Sequence, residues 1–253
     1  MKSYKIIIVM VVILLLTSSV VFAEPEISLF GKDISINDSD NPDDYVVGFE
    51  ILLVLTILSL APALLIMMSS FTRIIIVLSF IRNALGTQQT PPNQVLIGLA
   101  LFLTFFIMAP IASDINQNAI QPYLNEDIEQ SEAIDNAIKP IKNFMYRQTR
   151  DKDLSLFVNI ADVEKIENLN KDNIPIRALI PAFIISELKT AFQIGFVLFI
   201  PFLVIDMVVA STLMSMGMMM LPPVMISLPF KILLFIMVDG WNLIIKSLVT
   251  GFN

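Results

Sequence analysis

Four long apolar stretches dominate this chain of 253 residues, and they limit its possible folds more than any other feature. They cover residues 46–68, 95–113, 178–216 and 223–248. A helix crosses the hydrocarbon core of a bilayer, about 30 Å thick, with about 20 apolar residues. Hydrophobic residues make up 56% of the chain and charged residues only 15%, which is too apolar for a soluble domain of this length. The sequence therefore predicts an all-α membrane protein built from two helical hairpins with broken and kinked helices.

The first 23 residues have the pattern of a secretory signal peptide. Lys2 and Lys5 precede an apolar run at residues 6–16, and a short segment of small and polar residues ends at Ala23. We expect cleavage after Ala23, because the apolar run is short for an uncleaved membrane span, which is the alternative. Residues 24–45 are acidic and rich in turn-forming residues, so they are predicted to be an exported linker.

The first hairpin is predicted to cover residues 46–113. Its two apolar legs are joined by residues 69–94, which carry Arg73 and Arg82 and reach the helix-breaking pair Pro91-Pro92. This pattern indicates an amphipathic helix followed by a turn. Short basic loops prefer the cytoplasm, so this loop is predicted to lie on the cytoplasmic side.

Residues 114–177 form the sizeable polar region of the chain, and they are predicted to be a small helical periplasmic subdomain. Ile134, Ile138 and Ile141 recur there at helical spacing. Residues 178–253 are predicted to be the second hairpin. A cleaved signal peptide and a cytoplasmic basic loop give the same topology, with both the N-terminus and the C-terminus on the periplasmic side.

Composition argues against several function classes. The chain has no cysteine and no histidine, so thiolate nucleophiles, imidazole bases and the usual zinc sites cannot be built from it. We therefore predict that it is not an enzyme and uses no cofactor. The net charge is −7, which makes nucleic acid an unfavourable partner.

The second hairpin contains charged residues where a lipid-facing helix would have none. They are Glu187, Lys189, Asp206, Lys231, Asp239 and Lys246. Each costs about 3 kcal/mol if it stays unpaired in hydrocarbon, so pairing is expected. Asp206 and Lys231 lie at similar depth in an antiparallel hairpin, which favours a pair within one chain. Alternatively, Glu187 meets Lys231 of a neighbouring copy, or residues such as Glu187 and Lys246 reach the membrane interface instead.

A methionine-rich turn separates the two legs of this hairpin. It contains Met214, Met216, Met218, Met219 and Met220 and ends at Pro222-Pro223. Methionine is flexible and has a polarizable sulfur, so such a loop can seal against copies of itself and adapt to varied cargo. We predict that it is a pore gate. The alternative is a plain buried or interfacial turn.

Three stretches of the chain are similar to a known family. They are residues 91–110 (PPNQVLIGLALFLTFFIMAP), 181–196 (PAFIISELKTAFQIGF) and 229–241 (PFKILLFIMVDGW). In them the chain resembles the FliP family, core subunits of the flagellar type III secretion export gate. The methionine-rich turn also lies where this family carries its gate-sealing loop.

The resemblance implies a location and partners for the chain. Family members assemble as a homo-oligomer with FliQ and FliR into a helical spiral around a channel, with FlhA and FlhB beside it. Unfolded export substrates pass through that channel, which lies in the flagellar basal body at the bacterial inner membrane. The resemblance also implies that the assembled hairpins pack against one another, largely out of the bilayer.

Two other functions compete with the export gate. The first is a small-solute transporter, because broken helices with intramembrane charges also form carrier sites. The second is the equivalent subunit of a virulence type III secretion system. An intramembrane aspartyl protease ranks last, because Asp206 and Asp239 lie on opposite legs of a hairpin at unequal depth.

Overall fold

The computed structural model describes residues 27–29, 32–34, 42–87, 89–161, 173–218 and 220–252. The predicted signal peptide, most of the predicted linker and Met219 lie outside the described residues. The chain divides into two units, residues 1–59 and 60–253. In the first unit, strands β1 (Ile27–Leu29) and β2 (Lys32–Ile34) pair antiparallel. All other regular structure in the described part of the chain is helical, which confirms the predicted fold class apart from this short hairpin.

Helix α1 runs from Pro42 to Met67 and contains Pro62. The described part of the second unit contains eight further helices. They are α2 (Phe71–Leu85), α3 (Asn93–Ile115), α4 (Gln121–Leu124), α5 (Gln130–Gln148), α6 (Asp151–Ile160), α7 (Ile176–Ser215), α8 (Pro223–Met237) and α9 (Gly240–Thr250). A π-helical turn, Asn116–Ile120, joins α3 to α4, so residues 93–124 form one continuous helical segment.

Two of these segments are long and apolar enough to cross a membrane. They are Asn93–Leu124, with 32 residues, and Ile176–Ser215, with 40 residues. Helices α8 and α9 together meet the same criterion but are bent by 62°, so they form a broken span or a re-entrant segment. The apolar part of α1, Ile51–Leu64, is shorter. The described residues therefore offer two or three spans, fewer than the four apolar stretches of the sequence suggest.

Helix α2 lies at the centre of the second unit. Ile74, Val77, Leu78 and Ile81 are all 0% exposed, because α2 packs chiefly against α7 and α3. The predicted helix is present, and it is a buried core helix and not a surface loop. A helix with apolar residues on most of its sides is stable only when it is buried, and this short helix is covered by two longer ones.

The described parts of the polar region, residues 114–161 and 173–177, are largely helical, and they pack against the rest of the second unit. The boundary predicted after residue 113 falls inside the continuous segment 93–124. Helix α5 packs against α3 and α7 and buries Phe144 and Met145 in the common core. The apolar face of α5 explains this arrangement, because it covers the same core that α2 enters.

Candidate functional site

Lys231 and Asp206 form an ion pair between the two legs of the second hairpin. Lys231 Nζ on α8 donates to Asp206 Oδ2 on α7 at 2.7 Å. Ser227, one turn before Lys231, donates to Asp206 Oδ1 at 2.5 Å. The side chain of Lys231 is 3% exposed and that of Asp206 is 28% exposed. Of the pairings left open by the sequence, the one within a single chain is present in this structure.

The C-terminal end of α2 lies beside this ion pair. Gly86 follows α2 with a φ of 76°, a left-handed conformation that favours glycine. A Cβ atom on Gly86 would lie 3.8 Å from Lys231 Nζ and 3.8 Å from a methyl carbon of Val224. The carbonyl groups at a helix C-terminus carry partial negative charge, so they stabilise the ammonium group of Lys231 together with Asp206.

Glu187 pairs with Arg73 rather than with any lysine. Arg73 Nε donates to Glu187 Oε2 at 2.9 Å, and a second guanidinium nitrogen donates to Glu187 Oε1. The same guanidinium donates to Gln148 Oε1 at 2.9 Å and to the carbonyl oxygen of Gly251 at 3.1 Å. It also lies 3.9 Å above the ring of Phe252. Arg73 therefore joins α2, α5, α7 and the residues after α9.

This arrangement corrects two expectations. Glu187 is fully buried within a long helix, so it does not reach a membrane interface. Arg73 does not act as a loop charge that orients the chain, because it is buried and neutralised by Glu187. The other basic residue of this region, Arg82, is partly buried and donates to Asn93 at the start of α3.

Sequence reasoning missed Arg73 and Gln148 as members of this network. One signal was available for Arg73, since it directly precedes the apolar run at residues 74–78, where a helix must bury or neutralise a cation. No comparable signal marks Gln148. Next to Glu187 on α7, Ser186 Oγ accepts from the backbone N–H of Arg150 at 2.8 Å. These two consecutive residues of α7 thus hold the network of Arg73 and the junction between α5 and α6.

The methionine-rich turn follows a capped helix end. Gly217 has a φ of 77°, and the N–H of Met218 donates to the carbonyl oxygen of Leu213 at 3.0 Å, which closes α7. Met214 and Met216 are exposed, and Met220 is 98% exposed. Within residues 214–218 and 220, the chain itself therefore leaves most of the thioethers uncovered.

No group of three or more acidic side chains in the described ranges is arranged to hold a metal ion. Asp206 is engaged by Lys231 and Ser227, and Asp239 lies at the bend between α8 and α9 with a φ of 49°. Helix α7 thus carries one fully buried ion pair, Glu187 with Arg73, and one partly buried ion pair, Asp206 with Lys231, and it ends at a turn with exposed thioethers.

A comparison with known proteins places this geometry in a family. The family model described as "FliP family" matches residues 54–248. The chain belongs to the FliP family. Three FliP-family relatives illustrate the match, and each is named flagellar biosynthetic protein FliP.

The Bacillus subtilis (strain 168) protein is 62% identical over 219 residues, which cover 87% of this chain and 98% of that protein. The Pectobacterium carotovorum subsp. carotovorum protein is 53% identical over 82% of this chain and 80% of its own length. The Aquifex aeolicus (strain VF5) protein is 51% identical over 82% of this chain and 87% of its own length.

The candidate site lies almost wholly inside the FliP-family match. Both ion pairs and the methionine-rich turn fall within residues 54–248. Gly251 and Phe252, which contact Arg73, follow the matched range.

Proposed function

We propose that this chain is a pore-forming core subunit of the flagellar type III protein-export gate and that flagellum assembly needs it. The observation that carries the proposal is the 62% identity to a flagellar biosynthetic protein over 98% of that protein's length. In this role the chain helps to form a channel through which unfolded flagellar proteins leave the cytoplasm. It has no catalytic function of its own.

The exposed apolar surface of the second hairpin supports assembly into an oligomer. Phe192, Phe196 and Met207 on α7, and Ile236 and Met237 on α8, are all more than half exposed. Exposed apolar patches of this kind are normally covered by lipid or by another protein. Prolines inside α7 and the 62° bend after α8 suit packing against neighbouring subunits better than a straight passage through lipid. The proposed neighbours are further copies of this chain, FliQ and FliR, with FlhA and FlhB beside them.

The methionine-rich turn is the proposed gate of the channel. Met214, Met216, Met218, Met219 and Met220 would meet their counterparts from other copies and close the channel to ions between transport events. The exposure of Met214, Met216 and Met220 in the single chain supports this role, since side chains that seal against neighbours cannot be buried within their own subunit. Flexible thioethers also reshape around a passing polypeptide at little cost.

The proposed location is the inner membrane, within the flagellar basal body, with both termini periplasmic. The two spanning segments support a membrane location. The closeness of Gly86 to Val224 places the turn after α2 and the methionine-rich turn at the same end of the second unit. With Arg82 at that end, the charge rule favours its placement in the cytoplasm.

The decisive experiment is inactivation of the gene, followed by assays for flagellar filaments and for secreted filament protein. We expect cells without filaments and without exported filament protein, and a plasmid-borne wild-type copy should restore both. Normal filaments in the mutant would overturn the proposal. Saturable solute uptake by the purified protein alone in vesicles would favour a transporter instead.

A further inference from the structure

An open cavity of about 500 Å³ adjoins the Arg73 network at Gln148 and Phe252. It is formed by α3, α5, the last turn of α9 and Phe252. One wall is apolar and includes Phe106, Ile107 and Ile111 of α3. The other end is polar and includes Asp114, Asn143 and Arg147. The cavity thus resembles a binding site for an amphiphile, because one part of it is apolar and the other part is charged.

The cavity lies where the uncharged part of α3 ends, which on a membrane-spanning helix is the level of the lipid headgroups. Residues 95–113 carry no charge, and Asp114 is the first charged residue after them. Phe106 and Asp114 are eight residues apart, which is about 12 Å along a helix. Phe106 is 69% exposed on a segment that is long and apolar enough to span a membrane. The apolar wall is therefore continuous with the exposed apolar surface of this segment, and the polar end lies where that surface stops.

The two charges at the polar end do not neutralise each other. The ion pairs of the described residues are Arg73–Glu187, Arg150–Asp153 and Lys231–Asp206. Arg147 is exposed and has no hydrogen bond or ion pair within those ranges. Asp114 accepts a hydrogen bond from the Asn118 amide, which leaves acceptor positions on its carboxylate. A ligand that carries one negative and one positive group would satisfy both side chains.

We propose that this cavity binds one phospholipid of the phosphatidylethanolamine class. Arg147 contacts the phosphate, because a guanidinium group pairs with phosphate through parallel hydrogen bonds. Asp114 contacts the primary ammonium group, and an acyl chain lies along Phe106 and Ile107. The cavity volume suits a headgroup and the first part of a chain. Phosphatidylglycerol has no cation for Asp114, and free phosphate would leave the apolar wall uncovered.

The test measures lipid binding to the full-length chain, purified in mild detergent and stripped of lipid. Phosphatidylethanolamine and phosphatidylglycerol with identical acyl chains are titrated separately, and bound lipid is counted by native mass spectrometry. We expect one tightly bound phosphatidylethanolamine per chain and weaker binding of phosphatidylglycerol. Arg147→Gln should weaken binding of both lipids about tenfold or more. Asp114→Asn should weaken phosphatidylethanolamine binding alone, so that the preference disappears.

Lys152→Gln is the matched control, because it removes an exposed positive charge of α6 that does not line the cavity. It should bind lipid like the wild type. Ile111→Trp fills the apolar part while both charges remain, and it should also reduce binding. Each variant is first compared with the wild type by thermal unfolding, and a variant that unfolds early is replaced by a milder one, such as Arg147→Lys or Ile111→Phe.

Three results would overturn the proposal. One is equal phosphatidylethanolamine binding by wild type, Arg147→Gln and Asp114→Asn, which would indicate unspecific lipid around the spans. Another is binding of glycerophosphoethanolamine, which lacks acyl chains, as tightly as the intact lipid. The third is a native complex without bound phosphatidylethanolamine whose cavity crosslinks to a neighbouring copy. These measurements do not depend on export, so a failure of the lipid proposal can be distinguished from a failure of the proposed function.

Discussion

Arg73 and Glu187 are 114 positions apart in the sequence, yet Arg73 Nε donates to Glu187 Oε2 across 2.9 Å in the buried centre of the second unit. The pair joins the first hairpin to the longest helix of the second. The Arg73 guanidinium also donates to Gln148 and to the carbonyl oxygen of Gly251 and lies over the ring of Phe252, so it also contacts α5 and the residues after α9. A buried pair of this kind is costly to break, because the remaining partner keeps an uncompensated charge.

Replacing Arg73 by methionine should destabilise the chain by about 3 to 5 kcal/mol, because Glu187 would stay buried without its partner. The measurement is thermal unfolding in detergent, together with the amount of protein that accumulates in the membrane. The double variant Arg73→Met and Glu187→Leu should recover part of the loss. Arg177→Met is the control, since Arg177 is exposed in the first turn of α7. An Arg73→Met variant as stable as this control would contradict the prediction.

Lys231 and Asp206 should respond unequally to single substitutions. Asp206→Ala leaves an ammonium group that is 3% exposed without a partner, whereas Lys231→Ala leaves a carboxylate that is 28% exposed and still accepts from Ser227. We expect both variants to reduce assembly and export, with the larger loss for Asp206→Ala. Co-purification of tagged and untagged copies measures assembly, and secreted filament protein measures export.

The double variant Asp206→Ala with Lys231→Ala should lose less assembly and export than the losses of the two single variants added together. Strict additivity would show that the two residues act independently. If all these variants behaved like the wild type, the ion pair would have no part in assembly.

Alanine at Met218, Met219 and Met220 together should leave assembly intact and make the membrane permeable to ions, because alanine cannot fill the space that flexible thioethers close. Ion permeability is measured by the fluorescence of a potential-sensitive dye in cells that contain the complex. Met67→Ala is the matched control, since Met67 is an exposed methionine that belongs to α1 and not to the methionine-rich turn. A membrane that stays tight in the triple variant would argue against the sealing role.

Two glycines within spanning helices should respond to alanine with opposite signs. A Cβ atom on Gly195 of α7 would lie 2.5 Å from ring atoms of Phe80 on α2, so Gly195→Ala should destabilise by about 1 to 3 kcal/mol. At Gly98 of α3 a Cβ atom meets nothing within 4 Å. Gly98→Ala should therefore be neutral or stabilise by up to about 1 kcal/mol, because alanine favours a helix. Thermal unfolding of the two variants checks this, and a Gly195→Ala variant as stable as Gly98→Ala would refute the close contact.

The helical fold and the family could be predicted from the sequence because they depend on local patterns. The apolar stretches at 95–113 and 178–216 became the two spanning segments with small changes of boundary. The ion pair of Asp206 and Lys231 could also be predicted, since a short turn fixes which residues of the two hairpin legs lie at the same depth. Motifs of mixed polarity, such as residues 181–196, carried the resemblance that the FliP-family match confirms.

What the sequence determined by itself was the chemistry available to the chain: long apolar helices, charges that must be neutralised, and a thioether-rich turn. Only the tertiary structure decided that Arg73 faces Glu187, that α2 is buried, and that α5 of the polar region joins the common core. The physical reason is that local patterns fix the period and length of each helix but not its neighbours. Partners more than a hundred residues apart are chosen by the packing of whole helices, because that packing alone brings their side chains within hydrogen-bonding distance.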